Sequence, residues 1–359
     1  MPKYGTDIQM NVYGTSHGEK IGVRISGLPI GFKIDLVELQ KHVYRRKASR
    51  SSFSTQRIEP DLLVCEQGVD DNGAIVAKQI EISVYNTTAK RSDYADLKYK
   101  PRPSHADYPA YVKYGLEVDL SGGGKYSGRL TLSQCIAGGI AEQLLAQKGI
   151  FVCSYIGSIA GIDGKSYKNA IPTIDELEKA KDDPFYFLSD KKDRIEQKLK
   201  EAKDGLDSLG GIIETVVYGL PVGIGDSLFD GVESAISSAV FSVPAVKGIE
   251  FGLGFDYAYS SGSKSNDAYR YEGDKVITLT NNNGGIVGGM TNGSPVTFRT
   301  VIKPTPSIGI EQKTVDLKNK TDVTIQIKGR HDVCITPRAV APIESVTAFA
   351  LLNLIAKEK

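Results

Sequence analysis

The chain begins with an alternation of apolar and polar residues that is typical of a half-buried strand. Ile8, Met10 and Val12 occupy one side of this pattern, and a second strand is predicted between residues 21 and 25. Residues 35–46 have helical spacing, with Asp35 as the expected N-cap and Glu38 three residues later. The start of the chain therefore predicts two strands followed by a helix.

Later segments continue to mix strand-like and helix-like patterns. Helices are predicted over 132–147, 228–241 and 342–355, with small residues on one side of the first, and 175–204 reads as an exposed helical region. Residues 211–219 predict a buried strand. Because there is no regular repeat and no clear linker, we expect one mixed α+β domain over 1–359 rather than a doubly wound sheet.

Residues 41–57 carry six cations and no acidic residue: Lys41, Arg45, Arg46, Lys47, Arg50 and Arg57. Two interpretations stay open for this run. It is a solvated surface loop, or it is held together by an anion, since concentrated like charges repel each other.

Overall charge and cysteine usage exclude several classes. The net charge of +1 argues against a nucleic-acid partner, and no apolar run approaches the roughly 20 residues of a membrane span. The first residues carry no signal-peptide pattern. Four widely spaced cysteines without a CxxC pair predict reduced thiols and no metal site, so we expect a cytoplasmic protein.

Candidate chemistry centres on glycine-dense segments and on four histidines. No P-loop, GxGxxG, HExxH or GxSxG motif occurs, but glycines cluster at 14–18, 122–124 and 284–289, as tight turns or as phosphate-binding backbone. His17, His105 and His331 lie in loops, whereas His42 lies in the predicted helix. The loop histidines are candidates for general acids, with hydrogen-bonded structural histidines as the alternative.

Seven short blocks, taken together, resemble the chorismate synthase family. They occur in the family's order between about residues 10 and 355: 14–18 (GTSHG), 45–47 with 54–61, 102–107 (RPSHAD) with 113–115, 122–129 (GGGKYSGR), 283–289, 303–308 (KPTPSI) and 329–332 (GRHD). Each block is weak alone, but seven in order make coincidence improbable.

The resemblance implies a fold, a reaction and a cofactor. The fold is a sandwich of antiparallel β-sheets and helices, and the assembly is a homotetramer. The reaction is the 1,4-elimination of phosphate from 5-enolpyruvylshikimate 3-phosphate, the last step of the shikimate pathway, with reduced FMN supplied through an external flavin reductase or reductant. No membrane partner is implied.

The resemblance also assigns residues by motif position. The catalytic set is His17 for the leaving phosphate, His105 for the reduced flavin, Asp332 for removal of the C6 hydrogen, and Ser16 and Ser127 for hydrogen bonding. The implied FMN contacts are Lys125, Tyr126, Ser127, Pro244, Ala245, Gly288, Lys303, Pro304, Thr305, Pro306, Ser307 and Arg330. Guanidinium groups can bind the phosphate and carboxylates of the substrate bidentately. The arginines implied for this role are Arg45, Arg46, Arg102, Arg129 and Arg330, with weaker support for Arg338.

The chain departs from the family pattern at several positions, and these leave two alternatives. Thr15 replaces Glu, Lys125 and Tyr126 replace Arg and Ser, and Ser52 and Gly128 replace Arg and Ala. The changes at 125 and 126 put the flavin contacts in question and allow a flavin- or anion-binding protein without activity. The other alternative is a bifunctional, NADP-linked form that also has NADPH-dependent flavin reductase activity, although no nicotinamide motif is visible.

Overall fold

A computed structural model describes residues 2–47, 59–87, 98–327 and 332–358 of the chain. Its strands are β1 Lys3–Tyr4, β2 Gln9–Gly14, β3 Lys20–Ser26, β4 Val64–Gln67, β5 Gln79–Tyr85, β6 Phe151–Ile159, β7 Ile162–Asp163, β8 Gly211–Tyr218, β9 Val246–Phe251, β10 Tyr269–Glu272, β11 Lys275–Thr278, β12 Ile286–Val287, β13 Met290–Thr291, β14 Val296–Ile302, β15 Gln312–Asp316 and β16 Thr321–Ile325.

The α-helices are α1 Leu36–Tyr44, α2 Asp107–Tyr114, α3 Thr131–Ala146, α4 Ile174–Asp182, α5 Lys192–Asp204, α6 Val232–Val240, α7 Gly262–Ser265 and α8 Thr336–Lys357. Short 3-10 segments precede several of them, at Ser121–Tyr126, Gly128–Leu130, Tyr186–Lys191, Leu228–Asp230 and Gly254–Tyr259.

Two antiparallel five-stranded sheets form the outer layers. One has the order β1-β2-β3-β5-β4 and the other the order β7-β6-β8-β14-β9. Helix α3 packs on β2 and β3 of the first sheet, α8 packs on β6 and β8 of the second, and the two helices pack against each other. The layers therefore run sheet, helix, helix, sheet, which confirms the predicted α+β sandwich of antiparallel sheets and helices.

The small residues of α3 explain the close helix pair. A Cβ atom added at Gly138 would lie 2.2 Å from Cβ of Ser345 in α8. Gly139 gives similar room on another side, to Leu39 and His42 of α1. The small-residue face predicted for this helix is thus confirmed as a contact surface. Both α1 and α8 pack against α3 through it.

Most predicted elements form, with shifted ends. Asp35 caps α1 by accepting hydrogen bonds from the backbone N–H groups of Val37 and Glu38. The region 175–204 divides into α4 and α5, and its exposure is incomplete because Leu177 and Ile195 are buried. The helix expected at 228–241 starts with a 3-10 turn, and α6 begins only at Val232.

Helix α8 corrects one expectation from composition. It is 22 residues long and apolar enough, by length and composition, to cross a bilayer. However, 89% of its most apolar window is buried inside the protein, as in the core helix of a folded domain. The expectation that no segment reaches the apolar length of a span is therefore wrong for α8, whose apolar surface is used between the two sheets.

Candidate active site

A cavity of about 450 Å³ collects most of the residues that the sequence assigned to a site. It lies where the end of α1, the 3-10 turns before α3, the start of α8 and the loop after β14 meet. Its walls include the following assigned residues: His17, Arg46, Arg102, His105, Tyr126, Ser127, Arg129, Pro244, Ala245, Lys303, Thr305, Pro306, Ser307 and Asp332. Its volume is typical of a small-molecule site.

His17 is held from behind by Ser16 and by the glycine loop. Oγ of Ser16 lies 2.8 Å from Nδ1 of His17 and 3.1 Å from the carbonyl oxygen of Gly122. When the hydroxyl donates to Gly122, its oxygen accepts a hydrogen bond from Nδ1–H of His17, which leaves Nε2 as the titrating nitrogen. Gly122 has φ +59°, and a Cβ there would come within 1.9 Å of Cε1 of His17, so this position requires glycine.

Arg46 enters the cavity from the end of α1. Its Nε donates to Oγ1 of Thr131 at 2.6 Å, and its Nη2 donates to the carbonyl oxygen of Gly128 at 2.7 Å. Burial, together with the nearby guanidinium groups of Arg338 and Arg129, lowers the pKa of Arg46 to about 9. The charged form of Arg46 is therefore less favoured here than in water, and a bound anion would stabilise it.

Arg129 and Arg338 each bind one carboxylate, and each also has a buried N–H donor that this carboxylate does not use. Nη1 of Arg129 lies 2.6 Å from Oδ1 of Asp61, and Arg338 binds Asp332. Nη2 of Arg129 and Nε of Arg338 are buried and have no hydrogen-bond partner among the described residues. Buried donors of this kind are normally satisfied, so they indicate room for an anion.

Arg102 and His105 are fixed by neighbouring polar groups. Arg102 donates to both carboxylate oxygens of Asp107, from Nε at 2.7 Å and from Nη2 at 2.9 Å. Burial alone would raise the pKa of Asp107, but Arg102 outweighs it and holds that pKa below its ordinary value. Nε2 of His105 lies 2.7 Å from Oγ of Ser307. On this wall of the cavity, His105 is therefore oriented by a hydrogen bond, and the charge of Arg102 is neutralised by Asp107.

The loop that follows β14 forms a polar wall of the cavity. The backbone N–H of Lys303 donates to the carbonyl oxygen of Ala245, and its Nζ donates to the carbonyl oxygen of Ser104 at 2.9 Å. Burial, with a smaller contribution from Lys247, lowers the pKa of Lys303. Oγ1 of Thr305 is buried without a partner in the described ranges. These groups fit a ligand that carries both an anion and hydrogen-bonding edges.

Several assigned residues lie elsewhere, and Arg45 is the clearest correction. Its guanidinium binds both carboxylate oxygens of Glu344 on the side away from the cavity. Lys125 is exposed and stacks its Nζ 3.6 Å from the ring centre of Tyr114. Gly288 sits in the turn between β12 and β13, outside the cavity lining. A position in one of the family's motifs therefore did not by itself place these side chains in the cavity lining.

Three further assigned residues are absent from the cavity lining of the described structure. Ser16 is buried behind His17 and does not line the cavity. Pro304 is absent from the lining, although its neighbours on both sides belong to it. Arg330 lies outside the described residues, as do Arg50, Arg57 and His331 of the basic and histidine candidates.

The sequence assigned no role to Asp61 and Asp107, the carboxylates that bind Arg129 and Arg102. Asp61 and Asp107 line the cavity, as do Glu59 and Lys47, and Arg338 lines it with stronger support than the sequence provided. Glu59 accepts hydrogen bonds from the N–H and Oγ1 of Thr87 at 2.9 and 2.8 Å. The only signal was position: the pair Glu59 and Asp61 follows directly after the basic run.

An α+β protein that gathers guanidinium groups, two histidines and an aspartate around one cavity has the organisation of an enzyme for a small anionic substrate. Residues 8–356 match the chorismate synthase family. The chain therefore belongs to the chorismate synthase family, whose members are lyases.

Individual relatives agree over almost the whole chain. A chorismate synthase of Pyrococcus abyssi is 40% identical over 349 residues, covering 97% of this chain and 96% of the relative. A chorismate synthase of Dehalococcoides mccartyi is 38% identical over 352 residues, covering 98% and 95%. A crystal structure of a chorismate synthase matches with a TM-score of 0.76 at 23% identity, covering 99% of this chain and 93% of the other, and so supports the fold.

Proposed function

We propose that this chain converts 5-enolpyruvylshikimate 3-phosphate into chorismate and phosphate, the last step of the shikimate pathway. The observation that carries the proposal is the convergence of Arg46, Arg129 and Arg338 on a cavity that also contains His17 and His105. Arg129 and Arg338 both disfavour the charge on the buried Arg46, so an anion bound beside these three groups would be stabilised. This substrate carries one phosphate and two carboxylates.

Binding comes first. Arg46 and Arg129 contribute the anion-binding charge, with Arg338 beside them, while Asp61 orients Arg129 through their 2.6 Å contact. Arg102 shapes the cavity wall and adds to its electrostatic potential, but its guanidinium charge is already paired with Asp107. Arg330 stays part of the proposal by its motif position alone. Substrate held by several fixed charges loses little orientation freedom before reaction.

The elimination breaks the C3–O bond and removes a hydrogen from C6, without net oxidation or reduction. His17 protonates the departing phosphate, since loss of a phosphate dianion is unfavourable without a proton or a cation. Ser16 fixes the ring through the 2.8 Å contact with Nδ1. Asp332, oriented by Arg338, assists removal of the C6 hydrogen.

The cavity residues fit FMN, which in its reduced form would supply electron density to the substrate when bound. Lys303, Thr305 and Ser307 would hold its polar edges, and Ala245 and Tyr126 would form adjoining walls. The buried, unsatisfied Oγ1 of Thr305 supports this placement. Ser307 keeps His105 oriented at 2.7 Å, where the histidine would hold a proton beside the cofactor.

We also propose a homotetramer that acts in the cytoplasm as one domain per chain. Two observations support it. One apolar cluster joins residues of both sheets, which supports a single domain, and several large aromatic side chains are exposed, which supports subunit contacts. Phe229 and Tyr259 are each 92% exposed and Phe255 is 80% exposed. Aromatic residues are enriched at subunit contacts. Light scattering after size-exclusion chromatography gives the mass directly, and a monomer at micromolar concentration would contradict the proposal.

The deciding experiment is an anaerobic assay with dithionite-reduced FMN and the substrate, in which chorismate is followed by absorbance. We expect turnover that depends on reduced FMN. Folded protein that binds FMN but forms no chorismate would refute the proposed activity. NADPH oxidation without an added reductase tests whether reduced flavin comes from outside, as we propose, or from the chain itself.

Histidine variants give the matched comparison. His17→Ala and His105→Ala should each lower turnover by about 10²–10⁴-fold, the usual contribution of a general acid. His42→Asn should keep wild-type turnover, because His42 is buried against Ser345 at 2.7 Å and lies outside the cavity lining. Equal turnover in all three variants would remove the assigned roles.

A further inference from the structure

Arg45 and Arg46 are neighbours in sequence, but their side chains enter different surroundings. Arg45 is the C-cap of α1 and binds both carboxylate oxygens of Glu344, whose side chain is fully buried. Arg46 turns into the cavity, to Thr131 and the carbonyl oxygen of Gly128. The ion pair of Arg45 is therefore one residue away from the anion-binding guanidinium.

Glu344 is held by contacts from three other elements. Besides Arg45, it accepts the backbone N–H of Ser154 in β6 at 2.7 Å and lies 3.3 Å from Nζ of Lys181 in α4. Burial opposes its ionisation, but Arg45 and Lys181 outweigh burial and hold the pKa of Glu344 well below its usual range. Lys181 also lies 3.0 Å from Glu142 of α3, so the network contains two cations and two carboxyl groups. A buried pair with all its partners in place is rigid.

The same pair joins the two helices next to Arg46 and Arg338, the cations on facing sides of the cavity. Arg46 follows the C-cap residue of α1, and Arg338 lies in the first turn of α8, six residues or about 9 Å along the helix axis from Glu344. Arg338 and Arg129 both disfavour the charge on Arg46. The bond between Arg45 and Glu344 ties α1 to α8 against this repulsion, together with the 2.7 Å contact between His42 and Ser345.

We propose that Arg45 and Glu344 are positioning residues that set the spacing of the anion site and do not contact the substrate. The pair acts through Arg46 and Arg338. The inference rests on the proposed function to the extent that the bound anion is the substrate. It differs from a stability role, because it assigns a specific loss of anion affinity to this ion pair.

The test compares two double variants of one network. Arg45→Met with Glu344→Gln removes the pair while an amide oxygen stays available to Ser154. Lys181→Met with Glu142→Gln, the matched control, removes one cation and one carboxyl group from the same network but leaves the connection between α1 and α8 intact. Both should lower thermal stability.

Affinity is measured without turnover, by calorimetry with 5-enolpyruvylshikimate 3-phosphate in the presence of oxidised FMN, and separately with FMN alone. For the Arg45 and Glu344 variant we expect substrate affinity to fall about 10- to 100-fold, as for a displaced binding group, with FMN affinity within about threefold of wild type. The control should keep both affinities within about threefold. Equal losses in both variants, or no loss in the first, would overturn the proposal.

A crystal structure of the Arg45 and Glu344 variant separates this proposal from the proposed function. We expect Arg46 to have left Thr131 and Gly128, whether or not the wild-type protein binds this substrate. Retention of both contacts would overturn the positioning role. Failure of the wild-type protein to bind the substrate, together with a displaced Arg46, would instead refute only the proposed function.

Discussion

The glycine loop gives the sharpest test of the site, through the substitution Gly122→Ala. Gly122 adopts φ +59°, and the added Cβ would lie 1.9 Å from Cε1 and 2.3 Å from Nδ1 of His17. Carbon atoms pack no closer than about 3.5 Å, so the ring must move by about 1.5 Å. That movement breaks the contact with Ser16 and displaces the proposed acid.

The substitution should have two effects, on stability and on turnover, that can be measured separately. Left-handed backbone costs an alanine about 1–2 kcal/mol, which appears as lost stability. Displacement of a reacting group by about 1 Å costs about 10²-fold in rate, which appears as lost turnover. Gly273→Ala is the matched control, because Gly273 has φ +62° in the β10–β11 turn and no atom lies within 4 Å of its added Cβ.

The assay is anaerobic turnover with reduced FMN, combined with denaturant unfolding of both variants. We expect similar losses of stability, and a turnover at least about 10²-fold lower for Gly122→Ala alone. Wild-type turnover in a folded Gly122→Ala protein would refute the assignment of His17, since the ring cannot keep its observed place beside an alanine.

Three further predictions address the rest of the molecule. Burial, with Arg45 and Lys181 nearby, lowers the pKa of His42 to about 3. Below pH 6.5 the unfolded chain therefore binds a proton that the folded chain does not, and the contribution of His42 to stability should fall by about 2 kcal/mol from pH 7 to pH 5. Burial raises the pKa of the neighbouring Glu142 to about 7, which acts in the opposite direction, so the quantity to measure is the difference between wild type and His42→Asn in urea unfolding at the two pH values. Gly138→Ala should cost at least about 2 kcal/mol in denaturant unfolding, because its Cβ would overlap Ser345; an unchanged midpoint would contradict the helix packing. Asp61→Ala should raise the KM for substrate by about 10-fold with FMN affinity unchanged, because Arg129 loses its orienting carboxylate; an unchanged KM would show that Asp61 does not orient Arg129.

Local patterns determined much of the fold. Alternation at Ile8 to Val12 and the cap at Asp35 depend on neighbouring residues, so β2 and α1 follow from sequence. The small-residue face of α3 indicated close packing, but only the tertiary structure names α8 and Ser345 as the partner. Propensity cannot specify which buried surfaces meet, because that choice depends on all layers together.

Motif order determined the family, the cavity histidines and most of its arginines. Only the tertiary structure decided where each of these side chains lies. Arg45 and Arg46 are identical in type and adjacent, yet one binds Glu344 and the other enters the cavity. The carboxylates of Asp61 and Asp107 likewise gained a role only when folding brought them to Arg129 and Arg102. Sequence specified which charges this protein carries, whereas burial and long-range pairing decided which of them face a ligand, because electrostatic partners separated along the chain become neighbours only in the folded state.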